Sequence, residues 1–176
     1  MNRFKNKTLH FIWFPEVADM PQSGKENVQK WTDLNPTWKP QIWGMREFSG
    51  FISGSPFAAT WAKLVGMLGS LEGDERKPML GKMSDFARLV LCHTHPSDLN
   101  AYADDDMTPL RPIDDWAVEK LREHSLRARP TKFTHPLERK HIDWDRVTTL
   151  FSGENTNNRG SQMSICNNFI ISKPGH

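Results

Sequence analysis

The opening of the chain constrains the fold most, because its hydrophobic pattern changes from that of a strand to that of a helix and back. Residues 8–14 form a short apolar run bounded by charged residues and a proline, as in a strand buried in a parallel sheet. Residues 26–34 carry apolar side chains at helical spacing, and Pro36 ends this helix. Residues 38–43 read as a second strand, so the chain begins with a βαβ unit, which is typical of the α/β class.

The next part of the chain predicts two amphipathic helices, residues 58–71 and 82–92, with residues 44–56 and 73–78 as loops before them. The first of these loops has the Gly, Ser and Phe content that suits a mobile loop near a site. In the second helix, Ser84 and Asp85 fall in the first turn. A side-chain oxygen caps free amides there, and an acid complements the helix dipole, so capping is the structural explanation for this pair.

Three consecutive aspartates follow a predicted strand, residues 99–103, and are the most informative local feature. Because side chains alternate along a strand, we expect Asp104 and Asp106 to face the same way. Two like charges held side by side need a counter-ion, and a hard cation such as Mg²⁺ or Mn²⁺ binds carboxylate oxygens together with phosphate oxygens. The carboxyl end of a strand is also where open α/β sheets bind ligands. Taken alone, the triplet is weak evidence for a metal site, because solvated acidic turns of this kind are common.

Size and composition indicate an ordinary globular protein. The chain has 176 residues, which suit one compact domain spanning residues 1–176. Its two cysteines, Cys92 and Cys166, do not make a disulfide framework, so we expect free thiols and a cytoplasmic location. The apolar run near the N-terminus is far shorter than a membrane span of about 20 residues. No membrane anchor is therefore expected.

The charge is unevenly placed, although a formal net charge of +2 is too small to imply a nucleic-acid partner. Residues 120–141 contain seven Lys or Arg against only Glu123 and Glu138. A solvated helix and loop explains such a stretch. It also suits a surface that attracts a phosphate-bearing donor or a polyanionic acceptor.

Four motifs in this order resemble one known family. They are His10-Phe11-Ile12-Trp13-Phe14, Trp31-x-x-Leu34-Asn35-Pro36-x-Trp38, Ser84-Asp85-x-x-Arg88 and Tyr102-Ala103-Asp104-Asp105-Asp106-x-x-Pro109-Leu110-x-Pro112. Together they resemble the DXD-motif glycosyltransferase family, which includes yeast Golgi mannosyltransferases, bacterial capsular polysaccharide enzymes and, distantly, the glucosyltransferase domains of large clostridial toxins. The resemblance spans residues 8–116, with a further match at residues 167–170 and 174–176.

The resemblance implies a GT-A-like, Rossmann-type domain that binds a nucleotide-sugar, with a mostly parallel central sheet flanked by helices. It implies a retaining transfer from a UDP- or GDP-sugar, dependent on Mn²⁺ or Mg²⁺. The acceptor would be a glycan, a lipid-linked sugar or another hydroxyl compound, and a nucleic acid ranks below these.

The resemblance also implies roles for particular residues. Trp13 would pack on the nucleoside of the donor, since a flat ring suits stacking on a base. Asp85 and Arg88, which three-residue spacing places on one helix face, would contact the donor sugar and phosphate. The implied donor-binding residues are Trp13, Ser84, Asp85, Arg88, Tyr102 and Asp104, the catalytic residues are Arg88, Asp104 and Asp106, and the metal ligands are Asp106 and Asp104, with Asn168 and His176 ranked below them.

Each role has a structural competitor. Trp13 also suits a core position, Arg88 a surface pair with Asp85, and Tyr102 a buried strand. His10, Trp31, Trp38 and Trp43 are read as packing residues. The pair His93 and His95 suggests zinc, although no further ligand stands at a usual spacing.

Two alternative functions remain open. Relatives carry a Gly-Gly pair before the DXD strand, whereas this chain has residues 93–100 without glycine, and it ends about where relatives continue. Those departures suggest a noncatalytic module that binds a nucleotide-sugar or a glycan. The Asp triplet with the basic stretch suggests, less strongly, a metal-dependent phosphoesterase or nuclease.

Overall fold

The computed structural model describes residues 4–115, 149–151, 154–156, 163–165 and 169–172, with side chains in 4–115 and 170–172. The strands are β1 (Lys7–Ile12), β2 (Lys39–Trp43), β3 (Leu99–Ala103), β4 (Thr149–Phe151), β5 (Glu154–Thr156), β6 (Met163–Ile165) and β7 (Phe169–Ser172). The helices are α1 (Gln22–Leu34), α2 (Met45–Ile52), α3 (Ala58–Gly69) and α4 (Arg76–Thr94). Single 3₁₀ turns lie at Val17–Asp19 and Gly73–Glu75.

The central sheet has five strands in the order β2-β1-β3-β7-β4. Strand β1 pairs in parallel with β2 (Phe11 with Ile42) and with β3 (His10 with Tyr102). Strand β7 pairs antiparallel with both β3 (Tyr102 with Ile170) and β4. Four of the five strands therefore point the same way, and β5 and β6 form a separate antiparallel pair. The predicted α/β class and mostly parallel sheet with helices are confirmed.

Helices cover both faces of β1 and β3, so these strands are buried throughout. Successive side chains of a strand point to opposite faces, and the two strands accordingly divide between two apolar clusters. The α1-side cluster includes Leu9, Phe11, Val28, Trp31, Trp38 and Ala101. The α4-side cluster includes Ile12, Trp43, Met83, Ala87, Leu91 and Tyr102. The predicted packing roles of His10, Trp31, Trp38 and Trp43 are confirmed, since all four are buried.

Helix α4 corrects two predictions. It begins at Arg76, not at residue 82, so most of the predicted loop 73–78 is helical. Pro78 lies in its first turn, where a missing N–H costs nothing because those amides have no partner within the helix. Ser84 and Asp85 consequently lie in the middle of the helix, and the prediction that they cap its N-terminus is wrong.

Helix α2 occupies residues that were predicted as a mobile loop. Gly44 stands before its first turn, Glu47 lies in that turn, and Phe48 and Ile52 are buried four residues apart on one face. The packing of these two side chains against the α4-side cluster explains why the segment is helical despite its Gly and Ser content. The prediction of a mobile loop is wrong for this part of the segment.

Several predicted features lie outside the described residues, so the structure does not bear on them. They are the basic stretch 120–141, Cys166, Asn168 and His176. Within the described part of the chain, no helix combines the length and the apolar character needed to cross a membrane.

Candidate functional site

The aspartate triplet lies in a turn at the carboxyl end of β3. The strand ends at Ala103, and the amide of Met107 donates to the carbonyl oxygen of Asp104 at 3.1 Å. The chain therefore reverses its direction within the triplet. The expectation that Asp104 and Asp106 face one way by strand alternation does not apply, because neither residue belongs to the strand.

Arg88 joins helix α4 to this turn. Its guanidinium contacts Asp104 (Nη1 to Oδ1, 3.2 Å) and Asp85 (Nη2 to Oδ1, 3.1 Å). The same group lies over the ring of Tyr102, 4.5 Å from its centre. The side chain of Arg88 is only 9% exposed, so it is not the surface partner of Asp85 that the competing interpretation predicted. The structure thus brings four predicted site residues together, with Asp85, Tyr102 and Asp104 placed around the buried guanidinium of Arg88.

Tyr102 is buried and supports the carboxylate of Asp104. Its hydroxyl donates a hydrogen bond to Asp104 Oδ1, and it also bonds with Ser84. Burial raises the pKa of Tyr102, and the charge of Arg88 opposes that effect only in part. The phenol therefore stays protonated at neutral pH and acts as a donor. Tyr102 is thus a core residue, as one of its two interpretations predicted, and its contact with a nucleotide-sugar donor stays a prediction.

Two carboxylates, those of Asp85 and Asp106, and one cation, Arg88, act on the carboxylate of Asp104. Burial is the main reason that the pKa of Asp104 is raised, and the charges of Asp106 and Asp85 add to it. The hydrogen bond from Tyr102 and the charge of Arg88 act in the opposite direction. Asp106 is exposed. The resulting negative potential favours a bound cation.

Asp105 points toward the first turns of α1. Its pKa is raised, chiefly by burial and also by the charges of Asp106 and Asp104. A Cβ atom on Gly24 would lie 3.0 Å from Asp105 Oδ2 and 3.1 Å from Met20 Cγ. The glycine therefore allows the aspartate turn to lie close to the helix.

Helix α1 and Asn35, the residue directly after it, hold the segment that follows β3 through four hydrogen bonds. They run from Asn27 Nδ2 to Asp105 O (3.0 Å), from Trp31 Nε1 to Met107 O (2.8 Å), from Ile113 N to Asn35 Oδ1 (2.7 Å) and from Thr108 Oγ1 to Asn27 Oδ1 (3.5 Å). Asn27 and its contacts were not predicted. Trp31 and Asn35 were identified only as packing and helix-stop residues, although the asparagine directly after a helix was the available signal for a side chain that bonds backbone.

Trp13 lies at the same edge of the sheet, since it directly follows β1, the parallel neighbour of β3. It is half-buried against the α1-side cluster, and its amide donates to Trp43 O at 3.0 Å. Its indole Nε1 is buried and has no hydrogen-bond partner among the described residues. Core packing thus accounts for part of this ring, and stacking on a base stays a prediction.

Two histidines, His10 in β1 and His95 directly after α4, take part in packing. His10 Nδ1 accepts from Trp43 Nε1 at 3.0 Å, so the proton is on Nε2, which donates to Asn100 Oδ1 at 3.0 Å. Burial lowers the pKa of His10 to about 3. The ring of His95 packs edge-on against His10, with centres 4.7 Å apart, whereas His93 is exposed. The ring of His95 therefore belongs to the packing around His10.

The carboxylates at the turn suit a hard divalent cation in their chemistry. Within the described residues, no three His, Cys, Asp or Glu side chains are arranged to hold a metal by themselves. Mg²⁺ and similar ions in phosphate-binding sites are commonly held by one or two carboxylates, and phosphate and water complete the shell. Asp106 and Asp104 fit that pattern, because one is exposed and the other is half-buried beside it.

Comparison with known proteins assigns no family to this chain. A scan against protein-family models found no matching family, and a search of curated proteins found no significant match.

Proposed function

We propose that this chain is a metal-dependent, retaining glycosyltransferase with a GT-A-like fold, which takes a sugar from a nucleotide-diphosphate donor. One observation carries the proposal. Arg88, Asp85, Tyr102 and Asp104 meet at the carboxyl end of a parallel strand pair, next to the exposed Asp106. This is the edge at which open α/β sheets bind nucleotides.

The buried network prepares Asp104 and Arg88 for a polar ligand. Tyr102 and Arg88 fix the orientation of the Asp104 carboxylate, whose oxygens accept hydrogen bonds from ribose or sugar hydroxyls. Arg88, fixed between two carboxylates, directs positive charge toward the donor phosphates. Asp106, with Asp104, would hold the Mn²⁺ or Mg²⁺ ion, which when bound neutralises charge on the departing diphosphate.

A donor-binding module without turnover is the second candidate. One observation favours it: Asp104 Oδ1 already accepts the hydrogen bond from the Tyr102 hydroxyl and pairs with Arg88 Nη1. One oxygen of this carboxylate is therefore occupied within the protein. A donor screen followed by a turnover assay separates the two candidates.

The first experiment is a thermal-shift and calorimetric screen of UDP-glucose, UDP-galactose, UDP-N-acetylglucosamine and GDP-mannose, with and without Mn²⁺. The variants are Asp106→Asn and the control Asp33→Asn, which removes an exposed carboxylate near the C-terminal end of α1. A ligand at 100 times its Kd stabilises the folded state by about 2.7 kcal/mol. We expect one of the four donors to stabilise both wild type and Asp33→Asn, and only when Mn²⁺ is present.

Loss of that stabilisation in Asp106→Asn, with retention in the control, would support the site. Stabilisation by none of the donors would overturn the proposal. Hydrolysis or transfer of the bound donor would support the enzyme, and binding with neither reaction would favour the noncatalytic module.

A further inference from the structure

A polar cavity lies at the amino ends of the parallel strands, whereas Asp104 lies at their carboxyl ends. Its volume is about 340 Å³. Lys7 and Lys39 are the first residues of β1 and β2, and Ser97 stands just before β3, so the cavity opens at the amino ends of three parallel strands. It is separate from the site proposed above.

Apart from Asn6 and Pro96, the side chains around this cavity are basic or carry hydroxyl groups. Lys5, Lys7 and Lys39 line it with His95 and with three serine or threonine side chains, and its lining residues include no carboxylate. Cavities of this size hold small ligands. A wall of N–H and O–H donors without acidic groups selects for an anion.

Lys7 is fixed at the base of the cavity. Its Nζ donates to Asp114 Oδ2 and, at 2.8 Å, to Thr37 Oγ1, and its side chain is 2% exposed. An ammonium group has three N–H donors, so these two bonds leave one further donor, on a nitrogen that lies 5.2 Å from the centre of the Trp38 ring. Asp114 does not line the cavity, and its charge offsets that of Lys7 alone.

Lys5 and Lys39 are exposed, and neither forms an ion pair with a carboxylate in the part of the chain that the structure describes. Asp98 is near Lys5: its Oδ2 accepts the backbone amides of Lys5 and Asn6 at 2.7 and 2.9 Å, and the charge of Lys5 also helps to lower the pKa of Asp98. These amide bonds fix the course of the chain along the cavity. The ammonium group of Lys5 is attracted to Asp98 without forming an ion pair with it.

Hydroxyl groups complete the wall between the strands. Thr8 Oγ1 and Ser97 Oγ lie 2.6 Å apart, and Ser97 Oγ lies 3.1 Å from His95 Nδ1. Burial, together with the charge of Lys39, lowers the pKa of His95, so this ring is neutral at pH 7. Because Asp114 offsets the charge of Lys7, the positive charge of the cavity comes chiefly from Lys5 and Lys39.

We propose that this cavity binds a small anion with one or two phosphate groups, with Lys5 and Lys39 closing on it from the exposed side and Lys7 bonding it from below. A multiply charged phosphate matches the ammonium groups of Lys5 and Lys39, with a further N–H donor on Lys7, better than a single carboxylate does. The proposal does not depend on glycosyl transfer.

The test uses inorganic pyrophosphate as the probe, with EDTA present so that no metal bridges it to the aspartate turn. Calorimetry measures the affinity, and ¹H–¹⁵N spectra locate the binding site. The test variant is the double substitution Lys5→Gln with Lys39→Gln. Its matched control is Lys63→Gln with Lys77→Gln, two exposed lysines of α3 and α4 that do not line the cavity.

We expect saturable binding by wild type, with amide shifts in residues 5–8 and 37–39 and at His95 and Ser97. The affinity should fall at least about tenfold in the test variant and stay unchanged in the control, and added salt should weaken it because surface charges are screened. The absence of saturable binding, equal loss in both double variants, or shifts confined to residues around Arg88 would each overturn the proposal. Thermal unfolding of each variant confirms that it is folded.

Discussion

Arg88 shows how one side chain shapes a site. Burying a charge is costly unless it is paired and hydrogen-bonded, and Arg88 meets two carboxylates and one aromatic face. A lysine has no planar fork with which to reach Asp85 and Asp104 together. The pair that sequence spacing suggested, Arg88 with Asp85, is present. The contact with Asp104 depends on how α4 packs against β3, and local spacing does not reveal it.

Replacing Arg88 with methionine should destabilise the fold by about 3 kcal/mol, because Asp104 would stay half-buried without its cation. The control is Arg46→Met, since the side chain of Arg46 is 84% exposed and pairs with its neighbour Glu47. That change should stay within about 0.5 kcal/mol. Urea unfolding followed by circular dichroism measures both, and similar losses in the two variants would contradict the role of burial.

Asp114 should make stability depend on pH in the acid range. Burial raises its pKa, but the hydrogen bonds from Lys7, Trp38 and Thr37 and the charge of Lys7 together bring it below the ordinary value of 3.8. A lowered folded-state pKa means that the interaction stabilises above the ordinary pKa and is lost as the pH falls through the folded-state value.

The variant Asp114→Asn should therefore be less stable than wild type at pH 7, and the difference should narrow as the pH falls below about 4. Urea unfolding at pH 7, 5, 4 and 3 measures it. A difference that stays constant over this range would show that the charge of Asp114 contributes nothing.

At the scale of elements, the contact between α1 and the segment after β3 decides where the aspartate turn lies. Asn35 ends α1 and is buried; its Nδ2 donates to Trp31 O at 2.8 Å while its Oδ1 accepts from Ile113. Asn35→Ala should cost about 2 kcal/mol, because a buried amide of Ile113 would lose its acceptor.

Gln29→Ala on the same helix is the matched control. Gln29 is exposed and its side chain donates to Asp33, one turn away, so its loss should cost no more than about 0.5 kcal/mol. Equal unfolding free energies for Asn35→Ala and Gln29→Ala would refute the structural role of this contact.

The sequence predicted elements best where hydrophobic spacing was unbroken. Strand β3 has the predicted bounds, and α3 differs by two residues at its end. The errors occur where local composition and tertiary packing disagree. Pro78 suggested a loop but lies in a first helical turn, and the glycines and serines around α2 concealed the apolar spacing of Phe48 and Ile52. The aspartate turn and its bonds to α1 link residues far apart in sequence, which no local pattern reports.

At the scale of the whole molecule, the sheet separates an acidic edge from a basic one. Strand β1 has six residues, so its two ends are about 20 Å apart at ~3.3 Å per residue. Sites at that distance without shared ligands are expected to behave independently.

Combining Asp106→Asn with the Lys5→Gln and Lys39→Gln substitutions should therefore reproduce each separate defect, in donor binding and in pyrophosphate binding, within about 0.5 kcal/mol of additivity. Calorimetry with each ligand alone and with both together measures this. A defect in pyrophosphate binding caused by Asp106→Asn alone would show that the two edges are coupled.

The position of β7 in the chain and in the sheet determines how long β3 stays without this partner strand during synthesis. Strand β7 is the last of the described strands in the chain, yet it lies inside the sheet, between β3 and β4. The ribosome takes roughly 3 to 13 s to make the 65 or so residues between β3 and β7, at about 5–20 residues per second. Until β7 emerges, the side of β3 that receives it lacks the partner it has in the folded protein. The nascent chain thus carries an open backbone edge, able to pair with other chains or to be shielded by a chaperone, for several seconds of its synthesis.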